Sequence, residues 1–219
     1  MPNTLETIID YFEKSHKEYE IIVVDDGSSD HTGGIAQQYN PRAKLYKLPK
    51  NLGKGAAVRA GVEQAKGDFI LFTDADLSTP ITELPKLYSA LEENSDIAIG
   101  SRAIDSSLIK LHQPLYRELM GKTFNKIVQF LVFKGIKDTQ CGFKLFKNSV
   151  AKEIFSQAKI DGFGFDVEIL YLARKKNYKI AEIPVEWHND KKSKINPIKD
   201  SLKMFIEILK IRKLHKDVN

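Results

Sequence analysis

Through its first hundred residues this chain alternates short apolar runs with stretches of helical periodicity, and that rhythm restricts the fold more than any other feature. The runs 20–24, 43–48, 68–73 and 96–100 read as strands. Helical patterns cover 5–14, 32–39, 55–65 and 81–93, the last behind Pro80 as a helix-start residue. Strand, helix and strand in repetition pack as a mostly parallel sheet flanked by helices, an α/β fold. In such sheets ligands sit beyond the carboxyl ends of the strands. Two of the runs end in paired carboxylates, Asp25 with Asp26 and Asp74 with Asp76.

The second half has a different character. A long helix is expected over 114–133, with Leu115, Leu119, Phe124, Ile127, Val128, Leu131 and Val132 as its apolar positions. The compact segment Asp138-Thr-Gln-Cys-Gly-Phe-Lys-Leu-Phe146 is expected to return to the sheet edge. A helix over 165–176, a strand over 178–187 and an amphipathic final helix over about 197–214 follow. Neither a repeat nor a composition shift divides the chain, so 1–219 reads as a single domain.

Hydrophobic residues make up 42% of the 219, enough to supply a core and to exclude disorder. With Cys141 as the sole cysteine, neither an internal disulfide framework nor a thiolate zinc cage can form, and a reducing compartment fits best. The net charge of +5 permits an anionic substrate, nucleic acid or an acidic membrane surface without choosing between them. The opening residues follow no signal-peptide pattern, and no apolar run reaches the roughly 20 residues that span a bilayer.

The run Gly67-Asp-Phe-Ile-Leu-Phe-Thr-Asp-Ala-Asp76 delivers Asp74 and Asp76 to one strand end. Two carboxylates so close repel unless a cation is present. Their hard oxygens suit Mg2+ or Mn2+, which would offset the charge of a nucleotide diphosphate. Helix capping also accounts for Asp76 and for Ser78-Thr79-Pro80. The segment Asp25-Asp-Gly-Ser-Ser-Asp30 by itself reads as a turn. In Asn51-Leu-Gly-Lys-Gly-Ala-Ala-Val-Arg-Ala-Gly61, helix-start amides and Lys54 would attract phosphate. A tight turn with a surface lysine explains that segment equally well, because it has neither P-loop nor dinucleotide spacing.

Taken in order, Asp25-Asp-Gly-Ser-Ser-Asp30, Asn51-Leu-Gly-Lys-Gly55, Asp74-Ala-Asp-Leu-Ser78 and Gly100-Ser-Arg102 resemble the family 2 glycosyltransferases of the GT-A fold. The segment 138–146, Phe165-Asp-Val-Glu168 and Trp187 followed by Ser193-Lys194 narrow the resemblance to the dolichyl-phosphate glucosyltransferase branch. Ser78-Thr79-Pro80 stands where the related mannosyltransferases usually carry Gln-His-Pro, which favours glucose. The resemblance implies transfer of a hexose, from UDP-glucose or alternatively GDP-mannose, to a polyprenyl or dolichyl phosphate. Inversion at the anomeric carbon would give a β-linked product.

Carried over by position, the resemblance implies that Asp26 contacts the nucleotide base, with Lys54 nearby and Ser78 in the donor site. Asp74 and Asp76 would hold ribose and metal, Asp76 being the stronger metal ligand. Arg102, Arg117 and Lys194 match basic residues placed around the lipid phosphate and donor diphosphate, and Asp166 would support the acceptor site. A phosphate monoester is already anionic, so it needs orientation and charge matching more than a strong base. Plainer readings stand beside these: Lys194 as a solvated surface charge, Asp166 and Glu168 as capping residues of the helix that starts there, and Cys141 as a small buried residue.

The last helix combines bulky apolar residues with a basic face, which suits either a membrane surface or a core-packing helix with a solvated side. Because the polyprenyl phosphate that the resemblance implies lives in a bilayer, peripheral attachment on the cytoplasmic face of a membrane is expected, with no nucleic-acid partner. Relatives open with a strand that contacts the nucleotide from the middle of the sheet. This sequence reads as starting after it, with 3–14 already the following helix and Asn3 or Thr4 its cap, so donor binding below full strength is expected. Two rivals from other classes are a haloacid dehalogenase-type phosphatase and a non-catalytic sugar-nucleotide binder. The double aspartate that precedes Asp74-Ala-Asp76 argues against the phosphatase.

Overall fold

A computed structural model describes residues 2–28, 32–189 and 197–218, with the side chains of 197–200 left aside. The first half follows the expected rhythm: α1 (Pro2–Ser15), β1 (Ile22–Asp25), α2 (Thr32–Gln37), β2 (Lys44–Lys47), α3 (Lys54–Gln64), β3 (Phe69–Thr73), a 3-10 turn (Ile81–Glu83), α4 (Leu84–Glu92) and β4 (Ile97–Ser101). A 3-10 turn (Ser106–Leu108) and β5 (Ile109–Leu111) lead into α5 (Leu115–Leu131). After it come β6 (Phe143–Lys147), α6 (Asn148–Gln157), α7 (Phe165–Lys175), β7 (Ile180–Pro184), β8 (Trp187–His188) and α8 (Pro197–Leu214).

The strands form a four-stranded sheet in the order β3-β6-β4-β7, a parallel pair β1-β2 and a parallel pair β5-β8. Parallel pairing dominates outside β6, which runs antiparallel to both β3 and β4. Among the described residues β1 pairs only with β2, and β3 only with β6.

The segment 138–146 does not return to the sheet edge. It enters the sheet interior as β6, whose residues Phe143, Lys144, Leu145 and Phe146 are all buried. Burial on both faces is the mark of a central strand. The expected strand 178–187 is also two pieces, because β7 stops at Pro184, which has no N–H for the ladder, and Trp187 pairs instead with Ile109 of β5. Helix α6 goes beyond the sequence expectations; it buries Val150, Ala151, Ile154 and Phe155 on one face.

Helices cover both faces of the four-stranded sheet. On one side Ile70, Phe72, Ile97, Ile99 and Phe146 meet Val62 of α3, Ile154 of α6, Ile169 of α7 and Ile208 and Ile211 of α8. On the other, Ala98, Phe143 and Leu145 meet Leu87 and Leu91 of α4. The alternation along β6 sends Phe143 and Leu145 to the α4 side and Lys144 and Phe146 to the α7 side.

Candidate active site

Because β6 runs antiparallel, its beginning lies beside the carboxyl ends of β3 and β4. Thr73 is registered with Phe143, and the Asp74 amide donates to the Gly142 carbonyl at 3.1 Å. Segments far apart in sequence thus meet where the parallel strands end, which is where ligands bind in such sheets.

Asp74 is half-buried and its Oδ1 lies 2.6 Å from Lys54 Nζ. Part of the cation that the carboxylate pair requires is therefore Lys54. Burial alone would lower the lysine's pKa, but Asp74, Asp166 and Asp76 outweigh it and hold the ammonium above its usual range. Lys54 also lies 5.7 Å from the Phe72 ring centre and 5.9 Å from that of Phe165. Asp76 is exposed, and its Oδ1 accepts from the Ser78 amide at 2.9 Å, an Asx turn. Ser78 is tied on by its carbonyl, which accepts from the His188 amide at 2.7 Å.

Among the described residues no cluster of three ligating side chains forms around Asp74 and Asp76. The donor set nevertheless fits Mg2+ or Mn2+, since such ions are commonly held by one or two carboxylates together with substrate phosphates and water. Asp76, facing solvent and carrying a single backbone hydrogen bond, is the more available ligand. A groove of about 350 Å3 opens beside it, lined by Asn3, Thr4, Thr7, Asp76, Leu77, Pro80, Ile81 and Thr82. A larger groove of about 610 Å3 lies at the other end of β3, between Lys66-Gly67-Asp68 and Lys147-Asn148-Ser149, away from these carboxylates.

The glycine-rich loop departs from the phosphate-cradle reading. Asp26 accepts from the Leu52 amide at 2.7 Å and the Gly53 amide at 2.9 Å, while the Gly55 and Ala56 amides donate to the Asp161 carbonyl at 2.7 and 3.3 Å. These four amides are thus already engaged within the chain, and Lys54 is the loop's charged group. Gly53 has φ of 108° and a Cβ there would come 2.4 Å from the Asp161 carbonyl oxygen, so the loop needs glycine at that point. Asp25 is buried and accepts from the Ser28 amide at 2.8 Å, as its turn reading predicts; Ser29 and Asp30 lie outside the described residues.

Arg102 follows β4 and forks onto Asp138, with Nε to Oδ2 at 2.7 Å and Nη2 to Oδ1 at 2.8 Å. Its backbone amide also donates to Asp138 Oδ2 at 2.9 Å, and its guanidinium lies 5.3 Å from the Trp187 ring centre. Burial would raise the Asp138 carboxyl, but the Arg102 charge dominates and brings it down to about 2. Burial pushes the Cys141 thiol up to about 11, which agrees with a small buried residue and not a nucleophile. Arg117 is half-buried in the first turn of α5 and makes no ion pair among the described residues. Lys194 lies outside the described residues.

Asp166 sits in the first turn of α7, only 3% exposed, and is paired with Lys144, which is fully buried. Burial is the leading influence on its carboxyl, which is held above the usual range despite Lys144 and Lys54. The geometry therefore places Asp166 beneath the site and not in it. Sequence reasoning missed Lys144, Asp138 and Gly142; a charged residue at the centre of the apolar run Phe143-Lys-Leu-Phe146 was the available signal for Lys144. Glu168 is no simple cap. Fully buried, it accepts from the Lys159 and Ile160 amides at 2.9 Å each and pairs with His215 Nε2 at 2.6 Å, tying the loop before α7 to the end of α8.

The profile of the glycosyl transferase family 2 matches residues 1–155. A dolichyl-phosphate beta-glucosyltransferase from Dictyostelium discoideum is 40% identical over 97% of this chain and 69% of its own length. The Homo sapiens protein of the same name is 37% identical over 97% of this chain and 70% of its own length. Among solved structures, mannosyl-3-phosphoglycerate synthase from Rubrobacter xylanophilus superposes with a TM-score of 0.72 at 17% identity, covering 99% of this chain and 70% of that one. Glucosyl-3-phosphoglycerate synthase from Mycobacterium tuberculosis, crystallised with Mn2+ and UDP-glucose, superposes with a TM-score of 0.63 at 18% identity, over 96% of this chain and 74% of that one. At such identities these two share the GT-A fold.

Proposed function

The chain belongs to the family 2 glycosyltransferases, and from that premise we propose that it transfers glucose from UDP-glucose to a dolichyl or other polyprenyl phosphate. The product would be a β-linked lipid-phosphate sugar formed by inversion. The observation that carries the reading is the meeting of Asp74, Asp76 and Lys54 with the Arg102-Asp138 fork at the carboxyl end of the sheet. The relatives that share most of its length bear the corresponding name.

Mg2+ or Mn2+, held by Asp76 with Asp74, would stabilise the charge on the leaving diphosphate. Asp26 holds the loop that carries Lys54, and Lys54 steadies Asp74; both place a nucleotide rather than react with it. Arg102, already aimed by Asp138, presents its remaining N–H groups to an anionic oxygen, with Arg117 as a second cation and Lys194 as a third. The acceptor phosphate needs no strong base, which suits a site beneath which the Asp166 carboxylate is buried.

A lipid acceptor calls for work at a membrane surface, and the proposed location is its cytoplasmic face. No helix among the described residues is long and apolar enough to cross a membrane. In helix α8, Ile208 and Ile211 enter the core, while Leu202, Ile206 and Leu209 are exposed, as are Lys203 and Lys210. On α5, Leu115, Leu119 and Phe130 are also exposed. Such apolar and basic faces suit an anionic bilayer.

The test is transfer to polyprenyl phosphate from UDP-glucose and from GDP-mannose, each with Mn2+, with Mg2+ and with chelator. Metal-dependent transfer from UDP-glucose, lost in Asp76→Ala, is expected. Transfer from neither donor would refute the acceptor assignment, and preference for GDP-mannose would refute the sugar.

A further inference from the structure

Lys144 stands in β6 opposite Phe72 of β3 and Ile99 of β4, and it is fully buried. Its ammonium donates to the Cys141 carbonyl at 2.7 Å and to the Asp166 carboxylate, and lies 5.2 Å from the Phe72 ring centre. Stability does not account for such a pair. The cost of desolvating two ions commonly matches or exceeds their attraction, and apolar residues of similar volume often serve as well.

Position does account for it. Asp74 rests on the Cys141-Gly142 turn: its amide donates to the Gly142 carbonyl at 3.1 Å, and a Cβ on Gly142 would lie 1.9 Å from Asp74 Oδ2. Lys144 anchors that same turn through the Cys141 carbonyl. By its second contact it holds Asp166, whose charge acts on Lys54, the residue that grips Asp74 at 2.6 Å. The route through the turn consists of direct contacts that reach Asp74, and the one through Asp166 acts on Lys54 across space.

We propose that Lys144 is a positioning residue that keeps Asp74 aimed for a divalent cation, through the Cys141-Gly142 turn on one side and through Asp166 and Lys54 on the other. This rests on the metal-dependent reading of the site. Being fully buried, Lys144 meets neither donor nor acceptor.

The test uses the full chain and Mn2+ alone, with affinity read from the paramagnetic resonance of the free ion. Lys144→Met strands a buried carboxylate, so Lys144→Met/Asp166→Asn, which leaves no buried charge there, is the working variant. A melting curve establishes that it folds. Mn2+ affinity should fall about 10- to 100-fold, the range seen when a partner that orients a metal ligand is removed. At saturating Mn2+, the KM for polyprenyl phosphate should not change. Lys144→Gln, which keeps N–H donors beside Asp166, should lose less and serves if the double variant does not fold. Lys147→Met, at the far end of β6 and paired with Asp96 at 3.0 Å, should retain full affinity. Wild-type affinity in folded Lys144 variants overturns the proposal, as does a wild-type protein that binds no Mn2+. If affinity falls as expected while no lipid phosphate is glucosylated, the positioning role stands and the functional reading fails.

Discussion

Gly142→Ala probes the placement of Asp74 with a single methyl group. The added Cβ would lie 1.9 Å from Oδ2, 2.3 Å from Cγ and 2.7 Å from Oδ1 of Asp74, all well inside the roughly 3.5–4.0 Å of favourable contact. Gly142 is not among the residues with positive φ, so alanine brings no backbone penalty of its own. The three nearest atoms all belong to Asp74, and its carboxylate must turn away. Overpacking a rigid core costs about 1–3 kcal/mol. Here the obstructing side chain is 34% exposed and free to swing outward, which puts the expected cost near the low end, about 1 kcal/mol. In a domain of this size that lowers Tm by about 2–4 °C. Function should suffer far more, because the swing breaks the contact with Lys54 and withdraws one of two carboxylates from the cation. Mn2+ affinity should drop at least about tenfold. The assay is a Mn2+ titration and a melting curve on Gly142→Ala, Asp74→Ala and the double variant. With Asp74 truncated the clash disappears, so adding Gly142→Ala should change neither readout by more than about 0.5 kcal/mol. Undiminished Mn2+ affinity in Gly142→Ala, or losses that simply add, would refute the reasoning.

Asp138 supplies a pH signature: its carboxyl, lowered from 3.8 to about 2 by Arg102, contributes stability above its unfolded pKa that disappears as pH falls through its folded one. Urea midpoints should therefore show a loss of about 2 kcal/mol between about pH 5 and pH 2 that Asp138→Asn lacks, and parallel profiles would count against the fork. Glu168→Gln replaces two acceptor oxygens by one, beneath the Lys159 and Ile160 amides and His215, and should cost about 1–3 kcal/mol, visible as a lower Tm and faster amide exchange at Ile160. Asp26→Ala should leave the Leu52 and Gly53 amides exchanging freely and raise the KM for UDP-glucose; unchanged exchange would show that the loop does not depend on this clamp. Cys141, 1% exposed with its thiol near 11, should resist a thiol reagent at neutral pH until urea unfolds the chain.

Local patterns determined much of this protein. Apolar runs and helical periodicity located β1 to β4 and the helices between them, because side-chain period and strand length are properties of neighbouring residues. The same runs carried Asp26, Asp74, Asp76 and Arg102 to strand ends, and the ordered motifs identified the family. Tertiary structure alone decided the direction and place of β6. A central strand is specified by ladder partners far away in sequence, here Phe69 to Thr73 and Ile97 to Ile99, and nothing within 143–147 encodes them locally. That one insertion puts Gly142 under Asp74, Asp138 against Arg102, and Lys144 under Asp166. It explains how a lysine in an apolar run comes to be buried, since a charge can lie inside the sheet only where a distant helix brings a carboxylate to meet it.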